Sequence, residues 1–225
     1  MDRIDPTGYM KAPRAAAIAG ILFSVLLISG FLLLRNAIPA DPLEAGAWLR
    51  ARASVVGLGL NLIPFAGIAF LWFMGVLRDR LGAQEDRFFA TVFLGSGLLF
   101  LAMLFVSAAF VGGILLAHAV GDERLVGSLT FSVARAIAFE AMNVYAIKMA
   151  AVFTVVTCTL ALRTRFVPVW IAAVGYAAAL VLLFANRYLE WALMVFPLWV
   201  LLISLYILAD SLRASRDTAA SGSKK

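Results

Sequence analysis

Hydrophobic residues fall in six long runs separated by short polar stretches, at residues 15–34, 54–77, 88–117, 143–162, 167–185 and 191–209. Each is near the roughly 20 residues a helix needs to cross a hydrocarbon layer ~30 Å thick. None alternates with a period of two over about ten residues, as a membrane-barrel strand would. Lipid offers no partner to backbone N–H and C=O groups, so the runs predict helices, whose hydrogen bonds close within the segment. The expected fold is an all-α integral membrane protein. It is a bundle of about six transmembrane helices in one domain over residues 1–213, followed by a disordered tail at 214–225.

The uneven runs carry the most detail. The third would be roughly 45 Å long as a helix, so it tilts, protrudes, or breaks near Gly112-Gly113. Asp41-Pro42-Leu43-Glu44 reads as a helix start: Asp41 as N-cap, Pro42 in the first position, Glu44 completing a capping box. Helix is therefore expected up to Ala53, either along the outer interface or continuous with the second span. Arg78-Asp79-Arg80-Leu81-Gly82 reads as a helix end, and Glu85 and Asp86 suit the start of the next helix. With Arg87 they make a short charged hairpin, readable as a salt-bridged clasp, a docking surface or a solvated turn. The mixed stretch 121–140 leaves open whether a helix leads into the fourth span. Two prolines, Pro64 and Pro197, fall inside runs and predict kinks.

Composition supports the lipid reading. Hydrophobic residues make up 64% of the chain and charged residues 14%, against about a quarter charged in soluble domains. A soluble chain of this size has too little interior for so much apolar surface. The first apolar stretch, of about 20 residues, exceeds the 7–15 of a signal peptide and reads as a retained span. The net charge of +6 comes from basic residues between the runs, the pattern of membrane anchoring. No basic patch is interleaved with aromatics, which argues against nucleic acid as a partner.

Charge also orients the bundle. The N-terminus, the second and fourth loops and the tail carry twelve Lys and Arg, and the other three loops carry six. Basic loops stay in the cytoplasm, so both termini are expected there. Trp48, Trp72, Trp170 and Trp191 lie near span ends, where the indole ring favours the interface. Trp199 lies within a span and is expected between helices. The lone Cys158 reads as a small core residue.

Candidate chemistry is sparse. Lys148 lies inside the fourth span, where an ionisable group is costly and lines a pathway or pocket unless its stem snorkels to the surface. Glu140, Asn143 and Tyr145 are near it, with Arg135 farther along, and Asn61 adds a polar group in the second span. A ligand or lipid pocket would draw on Lys148, Glu140, Asn143, Tyr145 and Asn61, with an anionic ligand or headgroup as occupant. Gly95-Ser96-Gly97 and Gly112-Gly113 suit close helix packing. His118 is the only histidine, which excludes bis-histidine haem ligation within the chain. No Cys/His cluster suggests a metal, no nucleophile elbow is present, and no cofactor or catalytic residue is assigned.

The residues Phe65 to Phe73, Arg78-Asp79-Arg80, Glu85 to Thr91, Gly95 to Phe100, Met149 to Phe153 and Phe196 to Trp199 resemble a group of bacterial multi-pass proteins of unassigned function. The resemblance implies a six-span protein of the bacterial cytoplasmic membrane and carries no activity or site residue. Two main classes of function follow from all of this, with an intramembrane enzyme, limited by the poverty of catalytic side chains, as a third. One is a small transporter, channel or lipid- or ligand-binding protein with a pocket near Lys148. The other is an accessory or scaffold subunit of a larger membrane complex. Expected partners are membrane lipids and either further copies of the chain or a membrane-complex subunit.

Overall fold

A chain this apolar can satisfy its backbone only by coiling, and the computed structural model does so along nearly its whole length. It describes residues 12–39, 46–81, 87–121, 125–165, 167–185 and 191–222, and no strand occurs among them. The helices are α1 (Ala12–Ala37), α2 (Ala47–Leu81), α3 (Arg87–Ala119), α4 (Leu129–Glu140), α5 (Ile147–Arg163), α6 (Val169–Leu180) and α7 (Ala192–Gly222). A π-helical turn, Ala141–Ala146, joins α4 to α5, and a second, Val181–Ala185, extends α6. Among the described residues five helices are long and apolar enough to cross a membrane, the fourth being the continuous rod Leu129–Arg163. The sixth apolar segment, Val169–Ala185, is shorter.

Alternatives the sequence left open are resolved at this point, and one expectation, the disordered tail, changes. The stretch before the fourth span is helical from Leu129, capped by Ser128, whose hydroxyl accepts from the Phe131 N–H at 3.1 Å. Helix α3 runs through Gly112-Gly113 without a break. Helix α2 starts at Ala47 and bends at Arg52, the one residue inside it with non-helical backbone angles. The tail expected to be disordered continues α7 to Gly222. Extending an existing helix needs no new nucleus, and alanine favours it. Pro64 and Pro197 both lie inside helices. Of the charged hairpin, Arg78 is exposed in the last turn of α2. Helix α2 also includes Asp79 and Arg80, and Arg87 opens α3. Glu85 and Asp86, like Asp41, Pro42 and Glu44, lie outside the described residues.

One ring organises the interior. Phe70 of α2 sits with its centroid 4.7 Å from Phe23 of α1, 5.4 Å from Phe100 of α3, 5.1 Å from Phe153 of α5 and 5.8 Å from Phe196 of α7. The pairs are tilted or edge-on, the arrangements aromatic quadrupoles favour. All five rings are buried. Gly97 brings α3 onto this hub, since a Cβ there would lie 2.6 Å from the Met74 sulfur. Gly95 and Gly113 face open space. Trp199 and Cys158 are buried in the same core, Trp199 on α7 and Cys158 on α5.

A second, smaller cluster lies apart from the hub. It joins Ala37, Trp48, Leu49, Val56, Ile114, Leu125 and Phe131. These residues belong to the end of α1, the start of α2, the end of α3 and the approach to and first turn of α4, so they share one end of the bundle. Trp48 is buried there, not spread along an interface, whereas Trp72, Trp170 and Trp191 are exposed. Arginines tie this end together. Arg52, at the bend of α2, donates from Nη1 to the Asn36 carbonyl in the last turn of α1. The Arg35 guanidinium lies 4.2 Å from the ring centroid of Trp191, just before α7.

Phe70→Ala removes the ring shared by five helices and leaves a cavity that lipid cannot reach. The expected loss is about 3 kcal/mol or more. Phe65→Ala, on the exposed face of the same helix, is the control and changes stability little. Unfolding in mixed micelles, followed by circular dichroism, compares the two.

Candidate functional site

Between the hub and the end cluster the helices do not close, and a cleft of about 990 Å³ remains. Phe31, Ile63, Leu104, Met142 and Met194 line it from the hub side, and Trp48 and Ile114 from the end cluster. The α4–π–α5 rod supplies one whole wall. Ala138, Phe139, Glu140, Met142, Asn143, Val144 and Lys148 all border the space. A regular helix shows one stripe to a neighbour. The wide turn of a π-helix, with its i→i+5 bonds, offsets that stripe and lets nearly consecutive residues face the cleft.

Polar contacts hold the wall, two of them to neighbouring segments. The Ser107 hydroxyl of α3 donates to the Ala138 carbonyl at 2.8 Å, one turn before the π segment. The Asn143 side-chain amide donates to the Phe139 carbonyl at 3.0 Å. Arg135 of α4, only 7% exposed, donates from Nη2 to the Pro39 carbonyl at 3.1 Å. Its guanidinium lies 5.7 Å from the centroid of Trp48. That hydrogen bond and the aromatic face offset part of the cost of burying the guanidinium.

The charges differ in depth. Lys148 lies roughly 22 Å along the rod from Arg163 at 1.5 Å per residue, and Arg135 a further ~20 Å. Lys148 is exposed and borders the cleft. Arg35, Arg135 and Lys148 give the lining three cations, and Glu140 gives it one carboxylate. The rest is mostly apolar.

Of the residues expected to form a pocket, Lys148, Glu140 and Asn143 border the cleft. Tyr145 and Asn61 do not: both are exposed, Tyr145 to 59%. Tyr145 shares a face with Lys148 only at 100° per residue, and Tyr145 lies inside the π turn, where that spacing does not hold. In α2 the cleft is met by Leu60 and Ile63, on either side of Asn61 in sequence. Pro64 is exposed, and Pro197 is buried in α7. Arg35, Trp48 and Ser107 were not foreseen as part of the site. Arg35 reads in sequence as a loop cation at a span end, and nothing local marks the other two. His118 is half-buried near the end of α3 and does not border the cleft. Among the described residues no group of three or more His, Cys, Asp and Glu is placed to hold a metal.

No protein-family model, curated protein or solved structure matches this chain. The cleft therefore has to be interpreted from its own chemistry.

Proposed function

We propose that this chain is a six-span protein of the bacterial plasma membrane that binds a small anionic ligand in the cleft beside Lys148, as a transporter or carrier does. The observation that carries the reading is the cleft itself. About 990 Å³ of space is at the upper end of the range for small-ligand sites, roughly 300–1,000 Å³. A lysine inside a span is costly unless it serves a pathway or pocket, and here it faces one. The binding class is favoured over an enzyme because the walls bear cations and apolar groups without a nucleophile–base pair.

Six crossings require that Val169–Ala185 also spans, tilted little and flanked by interfacial groups. The exposed Trp170 near its start suits that role. Both termini then lie in the cytoplasm, the side richer in Lys and Arg, and the resemblance to bacterial multi-pass proteins supports the compartment. The accessory-subunit reading draws on α3, whose span is only 22% buried within the chain, leaving a broad apolar face for lipid, another copy or a partner subunit.

Lys148→Glu reverses the deepest charge in the cleft. In proteoliposomes, binding or flux of an anionic substrate is expected to fall at least tenfold while the protein stays monodisperse; undiminished flux would rule out a pathway past Lys148. Topology is checked separately with a periplasm-active phosphatase reporter. Fused after Lys225 it is expected to be inactive, and inserted at residues 122–124 it is expected to be active. The opposite pattern, or a C-terminal fusion that is active, contradicts six crossings with this orientation.

A further inference from the structure

We infer that the ligand of the cleft is a zwitterion, with a carboxylate held by Lys148, an ammonium group held by Glu140 and an extended spacer between the two. This deepens the ligand-binding reading above and rests on it: the anionic group beside Lys148 is kept and a cationic one is added.

The charges that border the cleft are not equivalent. Arg135 is engaged by the Pro39 carbonyl and Trp48, and Arg35 by Trp191, so both hold helix ends together. Glu140 and Lys148 are exposed and border the same space. Among the described residues no hydrogen bond or ion pair engages either side chain. Opposite charges three or four residues apart on a helix lie next to each other. These two are eight apart, or roughly 12 Å along the rod at 1.5 Å per residue, and they do not pair. In a regular helix they would also be offset by about 80° around the axis. The residues Ala141–Ala146 between them form the π turn. Its wider coil rotates less per residue and brings the two toward one line. The π turn thus sets one carboxylate and one ammonium on the same wall, about two turns apart.

A ligand with a single charge compensates one of these groups and leaves the other. A zwitterion compensates both. Each charge-assisted contact is about 3 Å long. A ligand held end to end between the two groups therefore has its charges about 6 Å apart, and one lying alongside them about 12 Å apart. An extended chain of two or three residues with free termini covers that range at roughly 3.3–3.6 Å per residue. The other walls are mostly apolar, with Phe31, Ile63, Leu104 and Met142, which suits a spacer of alkyl groups or apolar side chains.

The test uses the full chain in phosphatidylcholine nanodiscs and isothermal titration calorimetry. The probes are trialanine and 8-aminooctanoate, each beside its N-acetylated form, which keeps the carboxylate and loses the ammonium. At least one zwitterion is expected to bind at least tenfold more tightly than its acetylated form, and the tighter of the two tells a peptide spacer from an alkyl one. Glu140→Lys and Lys148→Glu are each expected to lower that affinity at least tenfold. The double variant is expected to recover it to within about threefold, because a zwitterion can bind end for end. Both side chains are exposed, and a size-exclusion profile matching wild type shows that each variant is folded. An acetylated probe that binds as tightly as its zwitterion overturns the inference and leaves an anion-binding cleft, which Glu140→Lys then strengthens. A folded double variant that fails to recover also overturns it. Absence of binding by all four probes overturns both readings.

Discussion

The fold depends on the contact of four helices with a single ring from a fifth. Apolar surface gains little by leaving lipid for protein, so helix association in a membrane rests on close packing. Phe70 supplies it by touching aromatic rings from α1, α3, α5 and α7. Where the hub ends, the helices spread. The end cluster around Trp48 and Phe131 closes part of that divergence, and the cleft is what remains between the two packed regions. The site is thus a consequence of packing that is dense in two places and absent between them.

The same geometry explains the arginines of this end. In a simple reading they are minority loop charges that weaken the cytoplasmic bias. In the structure three of them hold helix ends together: Arg52 on the Asn36 carbonyl, Arg135 on the Pro39 carbonyl and Trp48, and Arg35 on Trp191. A guanidinium can satisfy a helix C-terminal carbonyl and stack on an aromatic ring at once, and lysine does this less well. Every Lys or Arg in these loops is arginine, which fits a structural use.

Much of this was readable from hydrophobic runs, and the reasons for the rest are physical. The long helices and the buried Trp199 and Cys158 follow from length and polarity alone. The hub does not, because Phe23, Phe70, Phe100, Phe153 and Phe196 lie in segments apolar on every side, where periodicity marks no inward face. The π turn at Ala141–Ala146 has no local sequence sign, and it decides that Asn143 borders the cleft and Tyr145 does not. Helix α4 was obscured because its sequence is mixed and only Phe131, Arg135 and Ala138 are buried. Tertiary contacts to Trp48 and Ser107, distant in sequence, give it its place.

The central claim is that this space is an occupied binding site and not a packing defect. Cryo-electron microscopy of the chain extracted into nanodiscs with its native lipids tests it most directly. The account predicts a discrete density in the cleft beside Lys148, bordered by Glu140 and Asn143. A cleft collapsed by movement of α4 onto α7, or one holding no density while annular lipids are resolved around α3, would contradict it.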